Sequence, residues 1–549
     1  METKKEQYMK TLTSKKRARG TAIGRCSASL LIAAGMQNLG LLPLHAATAA
    51  KEITDSGITS TVEKEFRLEK GVSPDSIDAS TSEGIVTLSG SAANLLAKDR
   101  AVQIAESIRG VRGVIDRITV TPVSRPNADI RTDILTALKQ DPATESYKVA
   151  VSVEDAAATL SGSVGSYAEQ QLVARIAKGV KGVKEVRNSV TINYAAKRTD
   201  QEIAADLKSR FQWDIWINGG QINPVVKDGN VTLSGTIGNA ISKWRAHEDA
   251  WVNGVTSVDD SGLKVELASG SGAQRDSEGA SSSDSEIKQA VQAALRLDPR
   301  VSAFSPDVTV ENGGVILGGT VGNLKAKTSA EQDAKNIMGV WRVDNLLKVR
   351  PNGRPTDMDV EKQLKAALAW DPLLVSSTID VAVINRTAYL SGGVESRLEK
   401  TEAQDVASRI KGVVMVRNHL KVEPDVSAYY YNSPDYSYYG WPDYSYYDWP
   451  YYGNYGWPYY TGSPYYDSAM YGPQPYLSDE QITKNIESKF FWSPFVDRDD
   501  VKVTVHGAVA TLTGTVGTWI GYGEADRDAH KGGATSVLNE IKVKKGHWL

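Results

Sequence analysis

A five-residue phrase ending in glycine returns six times along the chain. It reads Val86-Thr87-Leu88-Ser89-Gly90, Ala158-Thr159-Leu160-Ser161-Gly162, Val231-Thr232-Leu233-Ser234-Gly235, Val315-Ile316-Leu317-Gly318-Gly319, Ala388-Tyr389-Leu390-Ser391-Gly392 and Ala510-Thr511-Leu512-Thr513-Gly514. The closing glycines stand 72, 73, 84, 73 and 122 residues apart. A fixed period of that length marks one supersecondary unit copied in tandem. The 549 residues therefore hold six small units rather than three or four ordinary domains.

The two long gaps exceed the period by 11 and 49 residues, and composition breaks inside both. Residues 268–283 are rich in Gly and Ser and read as a flexible linker. Residues 424–477 hold 18 of the chain's 24 tyrosines, eight prolines and a Trp-Pro step every eight residues. Prolines at that density forbid regular structure. Three roles stay open for this stretch: a spacer, a self-associating aromatic tract, or a surface that stacks on glycan rings or another partner.

Within a unit the periodicity switches in a constant order. An amphipathic helix opens it, as with Ile130, Ile134, Leu135 and Leu138 in the second unit, where Asp129 is placed to cap. Asp141-Pro142, Asp298-Pro299 and Asp371-Pro372 end such helices, because a residue before proline leaves the helical region. An alternating strand follows, Val149, Val151 and Val153 in the second unit. Pairs such as Asp228-Gly229 and Asn312-Gly313 then suit the positive φ of a hairpin turn. The repeated phrase is the second strand. A second helix, carrying Leu172, Val173, Ile176 and Ala177 in the second unit, ends near a Gly-Val pair such as Gly182-Val183, where glycine fits a left-handed cap. A last strand, Ser189 to Ile192, closes the unit. The expected class is α+β: tandem α-β-β-α-β modules, each a three-stranded mixed sheet with both helices on one face. At about 70 residues each module should fold alone, with marginal stability.

The expected boundaries are 53–123, 127–195, 199–267, 284–350, 356–423 and 478–547. The carrying residues resemble those of the BON domain, a module of bacterial envelope proteins named from osmotically inducible and nodulation proteins. They are the Asp-Pro helix end, the Val-Thr-Leu-Ser-Gly strand and the ending Gly-Val-x-x-Val-x-Asn, present as Gly182, Val183, Val186, Asn188 and as Gly412, Val413, Val416, Asn418. The third and sixth units depart from it, with aromatic runs in place of Asp-Pro, and look like sisters. The chain then reads as a duplicated triplet. The resemblance implies an envelope address, phospholipid or envelope-protein partners, and no catalytic residues.

The first 49 residues agree with that address. Eight Lys or Arg and two acids fall within residues 1–25, an uncharged stretch with Leu30-Leu31-Ile32-Ala33-Ala34 at its heart follows, and Ala47-Thr48-Ala49 offers a small-x-small site. This is the order of a secretory signal peptide, with cleavage expected near Ala49 and a periplasmic or envelope destination. Gly35, Gln37, Asn38, Gly40 and Pro43 interrupt any membrane span, so no transmembrane helix is expected in the mature chain. Removing the segment shifts the formal charge from −3 to −9, which gives no bulk attraction for nucleic acid or an anionic membrane.

Chemistry is sparse. Cys26, the single cysteine, leaves with the signal, so thiol nucleophiles and Cys-ligated metals go with it. The six histidines lie at no metal-ligand spacing, and no cofactor or metal is expected. No paired acids recur at a common place, which argues against acid–base catalysis. Gly90, Gly162, Gly235, Gly319, Gly392 and Gly514 read as structural positions where a Cβ would block a turn or close approach. Phe211, Trp213 and Trp216, with Phe490, Phe491, Trp492 and Phe495, are candidates for peripheral membrane or partner contact, or for packing within and between units. Lys178, Lys181 and Lys184 form a basic cluster that is either a headgroup contact or simple solvated charge. The expected function is a non-enzymatic binding protein or scaffold of the envelope, phospholipid-associated and tied to envelope or osmotic stress. The alternative is a protein–protein adaptor or self-assembling periplasmic scaffold without lipid.

Overall fold

The computed structural model describes residues 53–69, 76–217, 221–266, 283–351, 353, 355–374, 378–422 and 477–544. The signal-like segment, the Gly/Ser linker and the Tyr-rich stretch lie outside them. Among the described residues, six modules repeat one plan. Module 2 serves as the example. Its opening helix is Asn127–Gln140, its hairpin strands are Lys148–Glu154 and Ala157–Val164, its second helix is Tyr167–Lys178, and its last strand is Glu185–Ile192.

The hairpin is antiparallel, with Val151 opposite Leu160, and the last strand runs parallel to the central one, with Leu160 opposite Asn188. The repeated phrase is thus always the middle strand of a mixed sheet. Buried residues of both helices, Ile130 and Ile134 from one and Val173 and Ala177 from the other, join Ala158 and Leu160 in one core. Both helices therefore cover the same face. The opposite face of the hairpin strand exposes Lys148, Ala150, Ser152 and Glu154, the alternation expected of a half-solvated sheet.

The opening helix is 14 residues long in every module. Its stops are as the sequence implies: Asp141, Asp298 and Asp371 are the extended C-cap residues. Its start differs in module 2. Pro126 occupies the N-cap with no side-chain bond, and Asp129 sits inside the first turn, so it contributes through the helix dipole rather than as a cap.

The turn residues take the conformations a tight hairpin needs, with φ of +51° at Asp228 and +76° at Gly229. The glycine of the Gly-Val pair is also left-handed, +94° at Gly182, but it lies past the helix end rather than at its cap. Gly179 is the C-cap, in a right-handed conformation. The asparagine of the family ending is structural. Asn188 donates to the Gln170 carbonyl at 3.0 Å and accepts from Val190 N–H at 3.3 Å, tying the last strand to the second helix. Asn345, Asn418 and Asn539 repeat the arrangement.

Each module has a core of its own, but not a closed one. Leu95 of module 1 is part of the module 2 core, and Trp492 of module 6 is part of the module 1 core. Side chains of neighbouring modules thus complete cores that each module otherwise builds from its own residues.

Candidate functional site

Most of the aromatic candidates are concentrated where modules meet. Three contacts share one design. The last residue of an opening helix is tryptophan in modules 3, 5 and 6, and each of these carbonyls accepts a backbone N–H from another module. Met338 donates to Trp213 at 2.8 Å, Lys181 to Trp370 at 3.0 Å, and Arg109 to Trp492 at 2.8 Å. Each donor is the residue just before the left-handed glycine of its own Gly-Val step. A helix C-terminus has carbonyls without intrahelical partners, so an amide from outside satisfies one. Modules thus pair as 3 with 4, 5 with 2, and 6 with 1.

These contacts account for the aromatic runs. Phe211 and Phe490 are buried in their own modules' cores. Trp213 packs against the module 4 core, and Phe491 and Trp492 against that of module 1. Trp216 and Phe495 are half-buried and meet edge to face at 5.4 Å across modules 3 and 6. Phe211 and Phe490 are thus covered by their own modules, and Trp213, Trp216, Phe491, Trp492 and Phe495 each pack against another module of the same chain. The sequence pointed to Trp213 and Trp492 through their aromatic neighbours and missed Trp370. Position 14 of the opening helix is the signal that unites them.

Two lysines of the basic cluster sit at these contacts, one by its side chain and one by its backbone, and Lys184 is exposed. Lys178 pairs with Asp99 of module 1 at 2.7 Å, and Lys181 supplies the amide that docks on Trp370.

Ion pairs lie buried or half-buried both between modules and within them. In the 1–6 pair, Lys489 bridges to Glu65, and Lys531 reaches Glu65 at 3.2 Å and Glu69 at 2.8 Å. Burial works against ionising Glu65, but the two lysines outweigh it and hold the carboxyl down at about 2. Between modules 4 and 2, Arg300 reaches Asp141 at 3.0 Å. In module 3, Arg210 binds Asp249 at 2.7 Å and Arg245 binds Asp214 at 2.8 Å.

Inside these networks carboxyls meet carboxyls, contrary to the expectation that no acids pair at a common position. In modules 3, 4 and 5 the residue capping the opening helix faces an acid on the second helix: Asp214 with Asp249, Asp298 with Asp333, and Asp371 with Glu402. Burial and the neighbouring carboxyl push Asp214 up to about 7 and Asp371 to about 8. In module 6, burial and Glu524 do the same to Asp528, at about 7. Asp249 moves the other way: Arg210 and Arg245 overcome its burial and hold its carboxyl below the usual range. The partners lie 31 to 35 residues apart in sequence, which is why no local motif shows them. Asp371 also lines a small cleft of about 60 Å³ with Gln140, Trp370 and Arg409, between modules 2 and 5.

The six glycines of the central strands are left-handed, with φ from +100° to +131°. At Gly235 a Cβ would stand 1.9 Å from the Gln221 carbonyl oxygen. Gly319 is the exception in space: the nearest atom would be Asp307 Oδ2 at 3.6 Å. Among the described residues no cluster of side chains is arranged to hold a metal ion, and no helix is long and apolar enough to cross a membrane.

The model of the BON domain matches residues 54–122, 126–194, 199–266, 283–351, 356–424 and 478–545. The chain belongs to the BON domain family. A BON-containing stretch of 146 residues is 31% identical to osmotically-inducible protein Y of Escherichia coli (strain K12), covering 26% of this chain and 73% of that protein. Two solved structures of CdsD, a structural protein of the type III secretion system of Chlamydia trachomatis, are 13% identical. Matches to 38% and 39% of this chain cover 94% and 100% of them. Their TM-scores are 0.11, too low to carry an argument. The BON-specific residues of this chain, its Asp-Pro stops, strand glycines and closing asparagines, all have structural roles here.

Proposed function

We propose that this BON protein is exported and works as a non-enzymatic scaffold of the bacterial envelope, in the context of osmotic stress, with phospholipid as its ligand. One observation carries the reading. The helix ends and second helices of the modules are spent on one another, while the outer sheet faces stay exposed, with apolar side chains such as Ile115, Tyr389, Met415 and Leu538 among polar ones. Such a body presents several similar small surfaces at once, and multiplicity raises apparent affinity for an extended partner. The name of the Escherichia coli relative supports the link to osmotic stress. The basic, apolar, Ala-x-Ala order of residues 1–49 supports export. Flotation of the mature protein with zwitterionic and with anionic liposomes tests the lipid assignment. Co-flotation with either supports it, and none with both removes it.

A second reading, a protein–protein adaptor without lipid, is favoured by the aromatic runs. Their burial between modules takes away the side chains best suited to insert into a bilayer. Cross-linking in envelope extracts that captures one protein partner, together with failure to float, supports this alternative.

A further inference from the structure

The first residue of each second helix occupies the same place in the module, and five of the six touch a different module while the sixth, Arg397, lies in the field of one. Leu95 of module 1 lies in the module 2 core. Tyr167 of module 2 stacks on Trp251 of module 3 at 4.4 Å and donates its hydroxyl to Glu248 at 3.1 Å. Ala240 of module 3 lies in the module 1 core. The contacts run 1 to 2 to 3 and back to 1. The other half repeats them. Leu324 of module 4 packs on the module 5 core, Arg397 of module 5 is in the field of Asp526 of module 6, and Trp519 of module 6 lies under Lys335 of module 4 at 5.0 Å. These contacts run 4 to 5 to 6 and back to 4.

Between the halves, the tryptophan contacts join 1 with 6, 2 with 5 and 3 with 4. A second set reaches from the residues just beyond an opening helix to another module, in module 1 to the N-cap of its second helix. Asn94 of module 1 donates to the Pro372 carbonyl of module 5 at 3.3 Å, Arg300 of module 4 meets Asp141 of module 2, and Trp216 of module 3 meets Phe495 of module 6. A threefold step that takes 1 to 2 to 3 and 6 to 5 to 4 carries every contact of each set onto the next. A twofold exchanging 1 with 6 also exchanges 2 with 4 and 3 with 5, and preserves both sets. This is the contact pattern of a hexamer with dihedral symmetry, in which two cyclic trimers meet face to face.

We infer that the described residues form two three-module rings, one within 53–266 and the other within 283–422 and 477–544, fused into a dihedral hexamer, and that the helical face of each ring is a binding surface whose partner is the other ring. The connection at 267–282 is a tether, not a cause of the assembly. Three tryptophan contacts and three loop contacts engage together, so each raises the effective concentration of the rest. The inference goes beyond the scaffold reading and does not depend on which envelope partner is bound.

The mature full-length protein tests it. A protease site is inserted within 268–283 and cut after folding. Because residues 50–549 contain no cysteine, Arg109→Cys with Ser493→Cys in that stretch gives one clean pair for a short bis-maleimide cross-linker; Arg109 Nη donates to the Ser493 carbonyl at 2.8 Å. Asn94→Cys with Pro372→Cys gives a second, independent pair should the first disturb folding. Expected are co-elution of the cut chain with the uncut one at low micromolar concentration and cross-linking of the two halves into one band of full mass. Separation of the halves in native buffer overturns the inference, as does co-elution in which neither pair cross-links.

Discussion

The Trp370 carbonyl accepts the backbone N–H of Lys181 at 3.0 Å, across 189 residues of sequence. The bond joins the end of one module's opening helix to the step before another's left-handed glycine, and the same relationship links Trp213 to Met338 and Trp492 to Arg109. Module stability is therefore shared, which gives the first expectation. Residues 127–195 expressed alone lose both the Trp370 contact and Leu95 in their core. They should show a mixed α/β circular dichroism spectrum and melt well below the same module in the full chain, followed there by hydrogen exchange. An isolated module as stable as the embedded one would show that the contacts add nothing.

Trp492 extends the point to a side chain. It is 8% exposed and part of the module 1 core. Trp492→Ala should cost about 3–5 kcal/mol, the usual range for emptying a buried large aromatic site. Faster amide exchange in the module 1 opening helix, Asp55–Leu68, would report it. Loosening confined to module 6 would mean that the ring serves only its own module.

The strand glycines separate two effects that sequence cannot. Gly235→Ala meets both a φ of +121° and a carbonyl oxygen 1.9 Å away, so backbone must move. Gly319→Ala meets a φ of +100° but no close atom. The second substitution should cost about 1–3 kcal/mol in conformational strain alone, and the first distinctly more, in parallel urea titrations. Equal losses would mean that close approach is not what selects glycine.

Asp200, the first residue of the module 3 opening helix, accepts the turn amides of Asp228 at 2.8 Å and Gly229 at 3.0 Å. Asp55, Asp284, Asp357 and Asp479 hold their hairpins in the same way. Asp200→Ala should lower stability by about 1–3 kcal/mol, since hydrogen bonds to a charged acceptor are lost at a helix N-terminus. Protection of the 228 and 229 amides should fall first. Retained protection at both would assign the turn's order to its own backbone.

The buried carboxyl pairs set a pH dependence. Asp214 and Asp528 are held at about 7 and Asp371 at about 8, whereas an unfolded aspartate titrates near about 4. Between those limits the folded chain binds more protons than the unfolded one, so stability falls as pH rises toward 8. Glu65, held at about 2, acts in the opposite sense: its contribution is present above the unfolded glutamate value and is lost as pH falls toward 2. Melting temperature should peak near about pH 5 and decline toward alkaline pH. Asp371→Asn, which mimics the protonated acid, should flatten that decline. A variant with an unchanged slope would place the alkaline sensitivity elsewhere.

What the sequence determined by itself is local and periodic. The 73-residue repeat, the switch from helical to strand alternation, the Asp-Pro stops and the Asp228-Gly229 turn specify each module's elements, their order and the face that Ile130, Ile134 and Leu160 bury. Backbone sterics and hydrophobic alternation act within a few residues, so one module's own text contains them. Even the likeness of modules 3 and 6, and the reading of a duplicated triplet, came from comparing copies along the chain. Which module faces which was decided only in three dimensions. Trp370 meets Lys181, Asp214 faces Asp249, and Tyr167 lies on Trp251 because surfaces of folded modules fit, and such fit depends on shape and charge brought together from residues far apart in sequence. The aromatic runs show the difference most directly: a Phe or Trp at a helix end is apolar in any reading, but only the tertiary packing selects another module, rather than a bilayer, as what covers it.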